Sequence, residues 1–273
     1  MPEGLASDHQ FDLVGQAVEN ILEMQPEFIK TAIQLERENV RQTVVFFGAA
    51  KVLSPENAQA ELDALELRFK QIKRRTKKHW QQLDQAADGV YMSRYYQAAE
   101  DLAAKITLWS KTRGPKKELV IATGAGPGIM EAANKGAFTA GGRSAGFGIE
   151  IPTEQKPNEY ITPELLFYFK SFLPRKFWLI FPARALVVFP GGIGTLDELF
   201  EVYTLMKTRK ATRYIPIVLY GREYWEELIN FDTMVRFGTI HKSDLDFISF
   251  CDSVDEAFDF ITNELEKQEA AKD

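Results

Sequence analysis

The sequence predicts an α/β protein built on a doubly wound parallel sheet, with helices added at the N-terminus and inserted after the first strand. Three observations carry that expectation. Short runs rich in Val, Ile and Phe alternate with longer segments whose apolar residues recur at helical spacing, the pattern of βαβ units. The short runs are apolar throughout rather than at every second residue, as in strands covered on both faces. Two strand-to-helix junctions are rich in glycine, TGAGPG at 123–128 and PGGIGT at 190–195.

Apolar residues recur from Phe11 to Leu35 (Val14, Val18, Ile21, Leu22, Phe28, Ile29, Ile33). That spacing predicts an amphipathic helix or helix pair with a break at Pro26, and residues 1–40 read as an N-terminal helical extension. TVVFFG, ending at Gly48, is the first strand. Residues 54–112 are helical in character and form an insertion, opened by Ser54 as cap and Pro55 in the first turn. Strands and helices then alternate: ELVIAT (118–123), a helix near 127–140, SAGFGIEI (144–151), ALVVFP (185–190), a helix from about 195, IPIVLY (215–220), a helix near 222–236, and FISFC (247–251). A final helix starts at the capping-box pattern Ser253 to Glu256. With no internal repeat and no low-complexity linker, residues 1–273 read as one Rossmann-like domain.

Composition narrows the function classes. Apolar content of 45% and charged content of 26% are those of a soluble globular chain. The net charge of −6 argues against broad nucleic-acid binding. The basic run RFKQIKRRTKKHW (68–80) reads as a solvated helix face, since aromatic residues do not interleave with its cations. The single cysteine, Cys251, is expected to be a buried inert thiol. His9, His79 and His241 are too scattered for a metal centre. The N-terminal MPEGLASDHQ has no signal-peptide pattern, and no apolar run is long enough to span a membrane, so a cytoplasmic location is expected.

In an open parallel sheet, ligands sit beyond the carboxyl ends of the strands. Bare glycine backbone there lets N–H groups approach an anion, and the following helix points its positive end at it. Both glycine turns therefore suit a phosphate, with Thr195 as the expected N-cap. Taken singly, either turn is equally a tight corner. Glu150, at the end of the strand after the first turn, leaves an NAD-type site open. Glu198 points elsewhere. A carboxylate beside a phosphate repels it, yet it can stabilise the oxocarbenium-like state formed when a ribosyl N–C bond breaks, and it can activate water. Its simpler reading is an acid complementing the helix dipole, a role that fits Asp197 better if Asp197 faces solvent.

PGGIGTLDE resembles P-G-G-x-G-T-x-x-E, the signature of the LOG family of nucleoside 5′-monophosphate phosphoribohydrolases, often labelled lysine decarboxylases. The likeness runs from about Val44 to Phe260 and includes GPGIMEAANKGA, EQKPN and PRKFW. The resemblance implies that Arg175 and Glu198 carry catalysis and that Gly191, Gly192, Gly194 and Thr195 hold the 5′-phosphate. It further implies that Lys176 sits beside the nucleotide and Glu131 near it. Gly124, Gly126 and Gly128, with Gly48 at the end of the first strand, are expected to complete the binding pocket. It also implies a homodimer or higher assembly whose sites lie near the subunit interface, the extra helices serving assembly.

Three departures bear on base specificity and rate. Gly48-Ala49-Ala50-Lys51 replaces G-S-A-R, TGAGPG replaces T-G-G-G-P-G, and Pro174 is expected to hold Leu173 extended. The decarboxylase label finds no motif for a Schiff-base lysine with a pyridinium partner.

The expected activity is hydrolysis of a purine-type nucleoside 5′-monophosphate, AMP-like or a cytokinin riboside monophosphate, to free base and ribose 5-phosphate. No metal or organic cofactor is expected, and neither nucleic acid nor membrane is an expected partner. The alternative is a non-catalytic nucleotide or molybdopterin-type carrier on the same fold. Such a carrier needs the glycine loop but not the Arg175–Glu198 pair.

Overall fold

The computed structural model describes residues 13–72, 74–151, 156–211 and 213–271. Phe11, His9 and the rest of the N-terminal decapeptide, and Glu154 and Gln155 of EQKPN, lie outside the described residues.

Seven strands form one parallel sheet: β1 (Thr43–Phe47), β2 (Val120–Thr123), β3 (Ser144–Ile149), β4 (Leu166–Phe169), β5 (Ala183–Val188), β6 (Ile217–Tyr220) and β7 (Ile248–Cys251). Their order is β4-β3-β2-β1-β5-β6-β7. The chain winds outward from β1 to one edge, returns to the centre at β5, and winds to the other edge. The order therefore reverses between β1 and β5, where loops leaving the carboxyl ends diverge and open a crevice. The doubly wound sheet expected from the sequence is present.

Apolar side chains cover both faces. On one face Val45, Phe47, Phe147, Leu186 and Leu219 pack under α5 (Phe172–Ile180) and α6 (Ile193–Lys207). On the other, Val44, Phe46, Ile121, Val187 and Val218 pack under α3 (Lys77–Thr112), α4 (Ile129–Thr139) and α9 (Val254–Ala270). Cys251 is buried, as its setting implied. Ser253 caps α9 by accepting from Glu256 N at 3.2 Å, while the Glu256 carboxylate reaches back to Asp252 N at 3.0 Å.

Several elements differ from expectation. Helix α1 (Leu13–Arg37) runs unbroken through Pro26. The bond Pro26 cannot donate would have gone to the carbonyl of Leu22, a residue on the exposed side of the helix. The 54–112 stretch is two helices, α2 (Pro55–Lys70) and α3, because Thr76 caps a new start by accepting from His79 N at 3.4 Å. The stretch 222–236 also divides, into α7 (Arg222–Leu228) and α8 (Phe231–Arg236), where Asn230 accepts from Thr233 N at 2.8 Å. The strand β4 and helix α5 went unassigned. Leu173 is helical rather than extended, since Pro174 falls in the first turn of α5, where its missing N–H has no intrahelical acceptor to lose.

The extra helices do not form a common side layer. Phe28 and Leu35 of α1 pack into the α5 face, while α3 packs in the opposite layer against α4 and α9.

Candidate active site at the strand-order reversal

Beyond their last residues, β1 and β5 stay paired for one more step: Phe189 N donates to Phe47 O at 2.8 Å and Ala49 N to Pro190 O at 3.0 Å. The loops then separate around a cavity of about 310 Å³. Its walls come from five places: Phe47 to Ala50 after β1, Gly124 after β2, Met130 in α4, Phe172 and Arg175 in α5, and the first turns of α6.

The PGGIGT loop is built for close approach. Gly192 has extended geometry and ends the loop, so α6 starts at Ile193 and the amides of Ile193, Gly194 and Thr195 have no carbonyl one turn back. An added Cβ at Gly192 or Gly194 would meet nothing within 4 Å, so bare backbone faces open space there. Gly191 has a different task, because a Cβ on it would lie 2.2 Å from Thr195 Oγ1. Thr195 is therefore the third residue of the helix, tucked over Gly191, and not its N-cap as expected. Tyr224 of α7 donates to Gly191 O at 2.7 Å and fixes the loop from outside.

The first glycine turn is mainly a packing device. Gly128 has φ +71°, and a Cβ there would stand 2.4 Å from Ala49 O, so only glycine lets this turn touch the β1 loop. A Cβ on Gly48 would strike Ile129 at 2.7 Å. Gly126 is buried, and its carbonyl accepts from Asn158 Nδ2 at 3.0 Å. Ala125, standing where the glycine-rich pattern has its middle glycine, is left-handed at φ 68°. Asn158 N–H and the Thr123 hydroxyl hold it there, at 3.0 Å to Ala125 O and 3.1 Å from Ala125 N. Of this group only Gly48 and Gly124 line the cavity.

Arg175 and Glu198 meet at the cavity floor. Arg175 Nη1 donates to Glu198 Oε1 at 3.0 Å, and its Nε donates to Phe147 O at 2.8 Å. Gly124 is bare because Nη2 of Arg175 occupies the space, 2.7 Å from where a Cβ would be. Glu198 is 6% exposed, and its Oε2 is buried with no hydrogen-bond partner. Burial pushes the Glu198 carboxyl above the usual carboxylate range, against the pull of Arg175 and Lys176. Burial also lowers the Arg175 pKa, with Glu198 opposing, but a guanidinium stays protonated. Asp197, whose side chain is 55% exposed, and the inward-turned Glu198 are the fifth and sixth residues of α6 and lie past its first turn, so the expected dipole-complementing role falls to neither.

Other expected residues stand further back. Lys176 does not line the cavity; it pairs with Asp197 at 2.7 Å, which does, and with Glu201 at 3.1 Å. Burial disfavours the Lys176 charge, yet those carboxylates outweigh it and raise its pKa. Glu131 accepts from Tyr96 of α3 at 2.8 Å and does not line the cavity. Glu150 lines a separate groove between α1 and β4, so the NAD-type arrangement is not assembled. Among the described residues no cluster of His, Cys, Asp or Glu could hold a metal, and no helix is long and apolar enough to cross a membrane.

Sequence reasoning missed Tyr224 and the aromatic wall of Phe47 and Phe172, and it quoted Asn158 within EQKPN without assigning it a role. Local signals were the EQKPN motif for Asn158 and the neighbouring PRKFW motif for Phe172.

Comparison with known proteins gives one family: the model described as "possible lysine decarboxylase" matches residues 130–261. No curated protein matches the chain. Among solved structures, the molybdenum cofactor binding protein of Rippkaea orientalis is 18% identical, with a TM-score of 0.44 over 63% of this chain and 88% of that one. The Moco carrier protein of Chlamydomonas reinhardtii is also 18% identical, with a TM-score of 0.44 over 83% of this chain and 99% of that one.

Proposed function

We propose, for a chain whose residues 130–261 match the family model described as "possible lysine decarboxylase" and whose PGGIGTLDE resembles the LOG signature, that it hydrolyses the N-glycosidic bond of a purine-type nucleoside 5′-monophosphate. The observation that carries this reading is the buried, unpartnered Oε2 of Glu198 beside a glycine loop with free amides. A buried acceptor left unsatisfied is costly, so a partner arriving with the substrate is the economical reading. The decarboxylase description fits poorly. Its cofactor needs a Schiff-base lysine, yet no lysine lines the cavity and Lys176 is held by two carboxylates outside it.

The 5′-phosphate rests against the amides of Ile193, Gly194 and Thr195, favoured by the positive end of α6. Arg175 holds Glu198 by one oxygen and leaves the other for the reacting centre. As the C1′–N bond breaks, positive charge grows on the ribose, and the nearby carboxylate stabilises it without reorganising. A water oxygen bonds to C1′ and its proton passes to Glu198 Oε2. The departing base takes up one proton, and Glu198 returns its own to solvent. The raised carboxyl pKa suits a group that must accept and return a proton. Phe172 and Met130 supply apolar wall for the base.

The working unit is a homodimer. Val18, Ile21, Leu22 and Ile29 of α1 and Leu173 and Phe177 of α5 are exposed, and Phe28 packs edge-on against Phe177 at 5.3 Å, so the two helices share an apolar surface. Phe172 joins this surface to the cavity wall. An obligate interface would bury more than about 2,000 Å². A panel of nucleoside monophosphates assayed for ribose 5-phosphate tests the reaction. Release from one or more purine nucleotides is expected; tight nucleotide binding with no release would assign a carrier instead.

A further inference from the structure

The basic run 68–80 occupies a position that its sequence does not disclose. Near the amino ends of the strands, Ser110 of α3 accepts from Leu119 N at 2.7 Å, just before β2. Near the carboxyl ends, the ring of Tyr95 packs on Gly221, just after β6. The part of α3 from Lys77 to Arg94 therefore continues past the sheet, by up to about 27 Å at the helical rise. Helix α2 leaves the β1 loop and runs outward alongside it, and Phe69 stacks on His79 at 4.6 Å near the turn. The pair forms an arm projecting beyond the carboxyl ends of the strands.

Seven of the chain's 33 Lys and Arg fall in these thirteen positions, in a protein of net charge −6. At the end of the arm Arg68, Lys70, Arg74, Lys77 and Lys78 are exposed and Arg75 is half-buried. None of these six makes an ion pair among the described residues, whereas several body cations, such as Lys105, Lys117, Arg143 and Arg222, do; the unpaired cations elsewhere are not gathered in one such run. The arm's acids all lie outside residues 67–83, so its tip carries no carboxylate, and the nearest of them, Asp63, Glu66 and Asp84, share a groove with Lys70, Arg75 and Trp80. Leu67, 67% exposed, and Trp80, 51% exposed, border the same cations. The Arg75 guanidinium covers one face of Trp80 at 4.8 Å.

We propose that the end of the α2–α3 arm docks on an anionic phospholipid surface. Uncompensated cations beside an indole and a leucine form the composition that lodges at a charged bilayer interface. The convex end of an arm can meet a flat surface without wrapping it. A nucleic-acid reading is weaker, because one indole already capped by an arginine is no platform for successive bases. The proposal does not depend on the catalytic reading.

Full-length protein sedimented with vesicles of phosphatidylcholine, with or without phosphatidylglycerol, tests it. Binding is expected only to the anionic vesicles and should be reversed by salt. Each cation is worth about a five-fold change in partition. The exposed triple Arg74→Gln/Lys77→Gln/Lys78→Gln should therefore bind on the order of a hundredfold more weakly, while its thermal unfolding and nucleotide turnover match the wild type. Lys116→Gln/Lys210→Gln/Lys242→Gln, with the same charge change on exposed positions elsewhere, should bind like the wild type. No binding to anionic vesicles, or equal loss in the two triples, overturns the proposal. Capture of single-stranded RNA without vesicle binding also overturns it and assigns the arm to nucleic acid.

Discussion

Replacing Arg175 by methionine should produce a loss of stability that grows with pH. The side chain is 12% exposed, and it compensates Glu198, which is 8% exposed at its side chain, through a 3.0 Å bond. Removing one member of a buried ion pair typically costs about 3–5 kcal/mol, because the other charge is left unpaired. Glu198 can escape part of that cost by protonating. Its folded pKa already lies above the ordinary value, so the native state binds the proton more tightly than the unfolded chain. Stability then falls as pH rises from the unfolded pKa through the folded one, and levels off above it. Without Arg175 the folded pKa rises further, the window widens upward, and the fall is larger. Urea unfolding of both proteins between acid and neutral pH measures this. The variant should lie close to the wild type at low pH and fall below it by about 3–5 kcal/mol at neutral pH. The double variant Arg175→Met/Glu198→Gln should regain much of that loss. A loss independent of pH, or no recovery in the double variant, would show that Arg175 acts through packing alone.

Two glycine substitutions should separate fold from site. Gly128→Ala combines a positive φ with a contact 2.4 Å from Ala49 O, and should cost about 2–3 kcal/mol in urea unfolding. Gly194→Ala has open space, so its unfolding should match the wild type while KM for nucleotide rises; unchanged KM would remove the loop from phosphate binding. AMP should be cleaved far more efficiently than adenosine, since the phosphate both binds and orients, and equal kcat/KM would refute the anchor. Light scattering at micromolar concentration should give a mass near twice the chain's 31.1 kDa; a fully active monomer would remove the α1–α5 face from the site.

How far the fold was legible depended on whether the signal was local. The β1, β2, β3, β5, β6 and β7 runs are short, apolar and bounded by turn residues, and each is a strand within about two residues of its expected ends. The strand β4 escaped because LFYF lies among Pro, Glu and aromatic residues without a clean period. Division of the 54–112 and 222–236 stretches depended on caps at Thr76 and Asn230, and polar residues inside a helical pattern do not announce that role. At the site, the pairing of Arg175 with Glu198 followed from the resemblance, since 23 residues separate them in the chain. The roles of Gly128 and Gly191 became visible only with their neighbours, Ala49 and Thr195, in place. Tyr224 holds Gly191 from 33 residues away, and nothing local in its own segment marks it.

Release of ribose 5-phosphate from AMP by the wild type and by Glu198→Gln, with nucleotide binding measured on both by calorimetry, bears most directly on whether the buried carboxylate drives N-glycosidic hydrolysis. The wild type should turn over. The variant should bind AMP with comparable affinity while kcat falls by a factor on the order of 10² or more. Equal turnover by both proteins would return Glu198 to a structural role, and no release from any nucleoside monophosphate by the wild type would contradict the hydrolase altogether.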